Sequence, residues 1–279
     1  MTPVPLEDCV ADVVGKAMRG LKLNDPLVAA QAGVTAAAVA SLRDGRFDEA
    51  TARAIAPVLH LGADALAALG HRAWYPQPVV LAGLACFNTP YADMTVNSYL
   101  AFDRTSGEAV AFDTGADCSG MLDFLARENL TLKLILLTHT HIDHILELEH
   151  LKQHSGTPAW VGERESFAAA QPFAAGREFH CGVLRIATRL TWGHSRGGIT
   201  YVIAGLARPL AVVGDAVFAA SMGGGAVSYA DALRTNREQI LSLPAATILC
   251  PGHGPLTTVG EEQAHNPFFA GWHLVNPVV

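Results

Sequence analysis

The sequence is poor in cysteine and in charged residues, and both shortages limit what the protein can be. Its 279 residues include five cysteines, which are scattered and never form a C-x-x-C pair. A disulfide framework is therefore not expected, and a reducing cytoplasm is the predicted environment. Charged residues make up 16% of the chain against 50% hydrophobic residues. This balance excludes disorder as the main state and leaves ample material for a packed core.

Basic residues and long apolar runs are also scarce. The chain has 19 Lys and Arg against 26 Asp and Glu, a formal net charge of −7, which argues against broad binding to nucleic acid. The longest apolar stretches, such as residues 134–137, are far too short to span a bilayer. The first residues lack a basic region followed by an apolar one, so no secretory signal is expected. A membrane role is therefore not predicted.

The length of the chain predicts about two domains. The composition and the hydrophobic pattern of the sequence change near residue 73. Residues 1–72 are rich in Ala and Leu without strand-like runs, which predicts a small all-α domain. Residues 73–78 contain two prolines and form the predicted linker. Residues 79–279 alternate strand and helix patterns in an α+β domain with mixed sheets, and one of the predicted helices covers residues 163–169. Cap and turn signals predict five helices in the first domain, over residues 8–19, 26–33, 35–43, 48–59 and 63–69, with Asp8 as the cap of the first and Asp48 as the cap of the fourth.

Residues 20–70 resemble a repressor-type helix-turn-helix domain, chiefly in the stretch Ala-Ala-Gln-Ala-Gly-Val-Thr at 29–35. The resemblance implies DNA binding through residues 35–43. Residues 1–72 hold seven basic and eight acidic side chains, however, and the segment 35–43 offers few groups that read base edges. A structural or dimerising bundle is the favoured interpretation, so nucleic acid is not an expected partner, whereas a homodimer is compatible with the apolar small helices.

The densest chemical signal is Thr-His-Thr-His-Ile-Asp-His at residues 138–144, directly after a buried apolar run. Imidazole and carboxylate ligands suit zinc, and also iron or manganese. In an extended segment His139 and His141 lie on the same side. Asp143 and His144 follow where the chain turns into a helix, so they can face a second metal. The spacing therefore predicts a metal site at the end of a strand.

Three later residues extend this pattern. His194, Asp215 and His253 each follow a predicted strand and lie beside glycine. Glycine permits tight turns and a close approach of the backbone to a metal site. The three positions therefore support the site predicted at residues 139–144.

From about residue 76 onward the chain resembles the metallo-β-lactamase superfamily, in particular its glyoxalase II-like hydrolases. The resemblance implies an αββα sandwich with the metals at one edge of the two sheets. The matching motifs are Asn-Ser-Tyr-Leu at 97–100, Phe-Asp-Thr-Gly at 112–115, the segment 138–144, Gly-His-Ser at 193–195, Gly-Asp at 214–215, Pro-Gly-His-Gly-Pro at 251–255 and Asn-Pro-Phe at 266–268.

The family pattern also implies a set of metal ligands. It implies two divalent metal ions, with zinc as the first expectation and iron or manganese as alternatives. Asp215 would bridge the two ions. The remaining ligands would be His139, His141 and His194 for the first metal, and Asp143, His144 and His253 for the second.

The expected chemistry is hydrolysis of a small thioester or ester. A water shared by two cations loses a proton near neutral pH and attacks the carbonyl, and Asp143 and Asp215 are the predicted catalytic residues. The partner is thus a small-molecule substrate. Tyr229, Arg234 and Asn236 follow the loop after Asp215 and are the predicted substrate contacts.

Two other functions stay open. Persulfide dioxygenases share the fold and are similar in holding one iron through residues that match His139, His194 and Asp215. A regulator would combine a DNA-binding N-terminal domain with a metal-binding sensor domain. From the charge count of residues 1–72, a protein beginning near Ala73 is expected to stay folded and active.

Overall fold

Two six-stranded sheets lie face to face in the computed structural model, which describes residues 4–165 and 167–271. Strands of the first sheet follow one another in chain order, the first three antiparallel and the rest parallel. These strands are β1 (Leu84–Tyr91), β2 (Met94–Asp103), β3 (Glu108–Phe112), β4 (Thr131–Leu137), β5 (Ala159–Gly162) and β6 (Gln171–Phe173).

The second sheet has the order β12-β11-β10-β9-β8-β7 and is antiparallel except where β10 pairs with β11. Every residue of β10 is buried, as expected for a strand covered on both faces. The strands are β7 (Glu178–Cys181), β8 (Leu184–Leu190), β9 (Ile199–Ala204), β10 (Leu210–Gly214), β11 (Ile248–Pro251) and β12 (Thr257–Thr258).

Helices cover the outer faces of both sheets. The inner faces share one core, in which Phe112 of the first sheet contacts Tyr201 of the second. This arrangement confirms the predicted α+β class and the αββα sandwich preceded by small helices. The covering helices are α6 (Ser119–Arg127), α7 (Ile142–Ile145), α8 (Leu148–Ser155), α9 (Tyr229–Thr235), continued by the π-helical turn Asn236–Ile240, and α10 (Val259–His265).

Five helices precede the sandwich, as predicted, although the fourth ends at Ile55 and not near residue 59. The side chains of Asn24, Thr35 and Asp48 each accept a hydrogen bond from the first turn of the helix that follows. The helices are α1 (Val10–Leu21), α2 (Asp25–Ala32), α3 (Ala36–Arg43), α4 (Glu49–Ile55) and α5 (Ala63–Gly70). No single helix among the described residues is long and apolar enough to cross a membrane, although the bent pair α2 and α3 passes that test by length and composition alone.

Two local predictions are wrong. Asp8 does not cap α1, which begins after Cys9; its carboxylate instead pairs with Lys16 and accepts a hydrogen bond from Ser221. The helix predicted over residues 163–169 is absent from the described part of that segment. Glu165 is buried there and accepts hydrogen bonds from two other loops, so its tertiary contacts override the helical pattern.

The helices α1–α5 and the sandwich share one hydrophobic cluster, which contains Val14 and Leu66 together with Val213 and Phe268. The N–H of Gly62 donates to the carbonyl of Pro267 at 2.7 Å. The packing therefore continues across the predicted boundary at residue 72. This continuity makes stable folding of a protein beginning near Ala73 unexpected.

Glu262 of α10 supports a prediction on pH. It is fully buried and accepts hydrogen bonds from Ala220, Thr257 and Asn266. Burial raises its pKa to about 8 from an ordinary 4.5. Because the folded state binds the proton more tightly, this contribution to stability is complete below the unfolded pKa and is lost as the pH rises through the folded one. Glu262→Gln should remove that loss.

Chemical denaturation between pH 6 and 9 tests this expectation. The wild type should lose up to a few kcal/mol relative to Glu262→Gln as the pH rises, since one pKa unit corresponds to about 1.4 kcal/mol. Glu261→Gln, at the neighbouring half-buried position, should follow the wild type and serves as the control. Parallel stability curves for wild type and Glu262→Gln would contradict the expectation.

Candidate metal centre

All seven predicted metal-ligating residues lie together at one edge of the two sheets. His139 and His141 follow β4, while Asp143 and His144 lie in the short helix α7. His194, Asp215 and His253 follow β8, β10 and β11. Strand ends from both sheets thus supply the side chains, as the glycine-flanked motifs indicate.

Four of these residues form a first set, whose donor atoms all lie within 4.8 Å of one another. Nδ1 of His141 is 3.0 Å from Nε2 of His139 and 3.0 Å from Nε2 of His194. Oδ2 of Asp215 is 3.3 Å from Nε2 of His194 and 3.9 Å from Nε2 of His139. Three imidazole nitrogens and one carboxylate oxygen therefore converge on one point.

A second set consists of Asp143, His144 and His253. Oδ2 of Asp143 is 3.2 Å from Nε2 of His253 and 3.6 Å from Nε2 of His144. Asp215 also reaches this set, because its Oδ1 is 3.2 Å from Nε2 of His144 and its Oδ2 is 3.5 Å from Nε2 of His253. Asp215 is the residue that connects the two sets.

The donor sets fit divalent cations. Tetrahedral ligands at about 2.0–2.1 Å from a metal lie about 3.3 Å apart, which matches the separations in both sets. Nε2 of His144 and Oδ1 of Asp215 are buried and make no hydrogen bond within the described part of the chain, although they are 3.2 Å apart. Buried polar atoms are rarely left without a partner, so a cation shared by these two atoms accounts for them. Imidazole and carboxylate donors suit zinc, iron and manganese alike.

Hydrogen bonds hold the imidazoles in position. Nδ1 of His144 donates to Oδ2 of Asp113 at 2.8 Å. Asp113 also accepts from the N–H and the hydroxyl of Thr138, both at 2.7 Å, and Thr138 Oγ1 lies 3.1 Å from Nδ1 of His139. Such contacts fix the tautomer and direct the other ring nitrogen towards the metal. Asp113 adopts a left-handed φ of 55°, a conformation that is strained for a residue other than glycine.

Backbone carbonyls orient two further ligands. Nδ1 of His194 donates to the carbonyl of Gly224 at 3.0 Å, and Nδ1 of His253 donates to the carbonyl of Thr95 at 2.7 Å. Both rings therefore present Nε2 to the centre. The loop that contains Gly224 is consequently part of the structure that supports the centre.

Electrostatics favour cation binding. Burial lowers the pKa of His139 well below its ordinary value and also lowers that of His141, so both imidazoles are neutral and able to bind metal. Burial opposes the ionisation of Asp215, but His144 and hydrogen bonds from neighbouring imidazoles lower its carboxyl pKa well below the ordinary range. For His144, burial is outweighed by Asp215 and Asp113, which raise its pKa to about 10. In the absence of metal, a proton on His144 thus balances the buried carboxylates.

Sequence reasoning missed two supporting carboxylates. Asp113 lies within the quoted motif at 112–115, and its position between a buried strand and a glycine turn was an available signal. Glu165 accepts hydrogen bonds from the hydroxyl of Thr140 at 2.6 Å and the N–H of Gly197 at 2.7 Å, and so connects the loops of His141 and His194. No local pattern marks Glu165, because its partners Thr140 and Gly197 are 25 and 32 positions away in the sequence.

The three predicted substrate contacts have other partners. Asn236 is buried, and its side-chain amide donates to the carbonyl of Ala216 at 2.6 Å. Arg234 is exposed and pairs with two acidic side chains of its own helical segment. Tyr229 is buried and lines a cavity with Leu21 and Phe268. The structure therefore does not assemble these three side chains into one surface facing the metal ligands.

Gly252 gives a test of the space reserved at the centre. A Cβ atom there would lie 2.1 Å from Oδ1 of Asp215 and 2.6 Å from Cε1 of His144. Gly252→Ala should displace both side chains, and displaced ligand geometry typically lowers metal affinity about 10–100-fold. Metal content per chain by elemental analysis, after dialysis against a weak chelator, measures the loss. Gly120→Ala, which meets only an ordinary contact at 3.6 Å to Phe87, is the control, and full metal retention by Gly252→Ala would contradict the prediction.

Comparisons with known proteins agree with this geometry. The family model described as the metallo-beta-lactamase superfamily matches residues 92–253 and thus does not extend over α1–α5. A relative from Bacillus subtilis, named as the probable metallo-hydrolase YqgX, is 28% identical over 211 residues, which cover 66% of this chain and 97% of the relative.

Solved structures give the same result. The crystal structure of the BLEG-1 B3 metallo-beta-lactamase aligns with a TM-score of 0.58 at 29% identity, covering 67% of this chain and 100% of that one. ETHE1 from Myxococcus xanthus shares the fold with a TM-score of 0.59 at 24% identity, over 67% of this chain and 85% of that one. With its two sheets and its glycine-flanked His and Asp clusters at one edge, the chain belongs to the metallo-beta-lactamase superfamily.

Proposed function

We propose that this protein is a metal-dependent hydrolase that cleaves a small thioester or ester, as glyoxalase II-like enzymes do, at a centre of two divalent metal ions. The observation that carries the proposal is the sharing of Asp215 between two donor sets, each of which also contains two or three imidazoles. His139, His141 and His194 would hold one ion, and Asp143, His144 and His253 the other. Zinc is the proposed metal.

When bound, two such ions supply a water of lowered pKa and polarise a carbonyl oxygen. The protein's own contribution is to fix the donors. Asp215 and Asp143 supply negative charge, while Asp113 and the carbonyls of Thr95 and Gly224 hold the rings. No serine or cysteine nucleophile is needed for this chemistry.

Elemental analysis and a substrate screen test the proposal together. The purified full chain, prepared without chelator, should contain about two zinc ions and hydrolyse members of a panel of thioesters, including a glutathione thioester, and lactones. One iron per chain, with oxygen consumption on a persulfide, would instead identify a persulfide dioxygenase. Absence of bound metal under metal-replete conditions would overturn both functions.

For residues 1–72 we propose a structural role rather than DNA binding. Helix α3, which would have to read the bases, ends in Arg43, and the guanidinium of Arg43 donates to Asp25 at 2.7 Å. The helices also pack against the sandwich through the shared hydrophobic cluster. Salt-dependent binding to random duplex DNA in a mobility-shift assay would contradict this role.

We also propose a cytoplasmic location. All five cysteines are free thiols, as expected for a protein of a reducing compartment.

A further inference from the structure

A cavity of about 400 Å³ lies between helix α1 and the glycine-rich loop that follows Asp215. Helix α1 contributes Lys16, Arg19 and Gly20, and the loop contributes residues 224–226. The cavity therefore exists only because the N-terminal helices pack against the sandwich. The family match over residues 92–253 does not include the α1 side of this cavity.

The loop side of this cavity adjoins the metal centre. The carbonyl of Gly224 accepts the hydrogen bond from Nδ1 of His194. A Cβ atom at Gly223 would lie 2.8 Å from that nitrogen and 2.0 Å from the carbonyl oxygen of Asp215. A molecule held against this loop would thus lie beside two of the metal-ligating residues. One substrate could therefore place its reacting carbonyl at the centre and a second group in the cavity.

The α1 side of the cavity is positively charged. Arg19 is exposed, and its guanidinium has no hydrogen bond or ion pair with any described residue. Nζ of Lys16 donates to the carbonyl of Met222 at 2.9 Å and pairs with Asp8. None of the described residues that line the cavity carries a carboxylate. Arg19 is thus a cation at the cavity with no partner among the residues that the structure describes.

The backbone of the loop adds N–H groups that can donate hydrogen bonds to an anion. Within the described residues, the N–H groups of Gly224 and Gly225, which line the cavity, donate no hydrogen bond. Successive backbone amides that face a concave surface form anion-binding sites, and arginine recognises carboxylate and phosphate through paired donors. A Cβ atom at Gly224 would meet no other atom within 4 Å, so the space beside this part of the loop is open.

We propose that this cavity is a subsite for an anionic group of the substrate, a carboxylate or a phosphate, held by Arg19 and the amides of the glycine loop. The inference rests on the proposed hydrolase function and narrows its substrate class. The preferred substrate is a thioester or ester with a negative charge remote from the reacting carbonyl.

Kinetics on matched substrates test the subsite. One pair consists of the acetyl thioesters of 3-mercaptopropionate and of 1-propanethiol, and the other of S-acetyl-phosphopantetheine and S-acetylpantetheine. Each pair differs in one carboxylate or one phosphate, so the pairs distinguish the two anions. Arg19→Gln should lower kcat/KM for the charged member of at least one pair by about 10–100-fold, which is typical of a lost charge-assisted hydrogen bond. The neutral members should change less than twofold.

Two variants sharpen the comparison. Arg19→Lys keeps the charge and should retain most of the preference for the anionic substrate. Arg46→Gln removes an exposed arginine that pairs with Asp44, away from the cavity lining, and should leave all four substrates unchanged. Equal losses on charged and neutral substrates for Arg19→Gln would overturn the subsite and indicate only a structural effect.

A binding measurement separates this inference from the hydrolase proposal. In metal-free protein, inorganic phosphate should shift the amide resonances of Gly224 and Gly225, and Arg19→Gln should weaken that binding at least tenfold. Phosphate binding at these amides without hydrolysis of any thioester would leave the subsite standing and refute the hydrolase. Hydrolysis of the thioesters with no phosphate-induced shift and no effect of Arg19→Gln would refute the subsite and leave the hydrolase proposal standing.

Discussion

Replacing Asp215 with alanine is expected to remove nearly all turnover and to reduce metal occupancy at both sets of donors. The reason is geometric, because its Oδ1 lies 3.2 Å from Nε2 of His144 and its Oδ2 lies 3.3 Å from Nε2 of His194. Loss of metal-assisted stabilisation worth several kcal/mol lowers the rate by at least about a thousandfold. Elemental analysis and thioester hydrolysis on the same preparation give the two measurements.

The asparagine variant separates charge from shape. Asp215→Asn keeps the side-chain volume and one carbonyl oxygen but loses the negative charge, so we expect it to retain at most one ion per chain. Asp64→Ala, which removes a carboxylate whose side chain is 96% exposed, should leave metal content and rate unchanged. Full activity of Asp215→Ala would refute a centre in which this residue is shared.

The residues of the centre were predictable because each belongs to a local motif. His139, His141, Asp143 and His144 lie within six positions, and strand alternation alone places the first two on one side. His194, Asp215 and His253 needed the additional observation that each follows a strand beside glycine. Their convergence is a consequence of the sandwich, in which strand ends from both sheets meet at one edge.

Supporting contacts were harder to predict, because they depend on pairs that are distant in sequence. Glu165 connects Thr140 with Gly197, and Gly224 accepts from His194 across 30 positions. Neither relationship leaves a periodic pattern. The helix predicted over 163–169 from local pattern is wrong because the carboxylate of Glu165 accepts hydrogen bonds from two other loops.

The helices of residues 1–72 were predictable from their caps, but their position on the sandwich was not. Asn24, Thr35 and Asp48 determine where helices begin through hydrogen bonds within one turn. Docking depends on surface shape instead. Gly20 is an example, because a Cβ atom there would lie 2.1 Å from the ring of Tyr229, 209 positions later in the chain.

Because the helices pack against the sandwich, their deletion should strongly reduce stability and activity. A protein that begins at Ala73 should be aggregated or strongly destabilised and should lack hydrolase activity. Deletion would expose Met222, Tyr229 and Phe268, which are buried in the shared cluster. Each large apolar side chain returned to water costs about 1.5–3 kcal/mol, and domains of this kind have about 5–15 kcal/mol in total. Light scattering and denaturation, compared with the full chain, measure the outcome.

A milder change tests the same interface without removing it. Gly20→Ala places its methyl group against the ring of Tyr229 and should destabilise the full chain by about 1–3 kcal/mol, as overpacking does. Gly15→Ala in the same helix meets only the flexible end of Arg19 at 3.2 Å, so higher helix propensity should stabilise it by about 0.5–1 kcal/mol. A soluble, active protein beginning at Ala73, together with equal changes in the free energy of unfolding for the two alanine variants, would show that the helices are an independent domain. Destabilisation by Gly20→Ala and stabilisation by Gly15→Ala would instead support helices that are part of the folded unit.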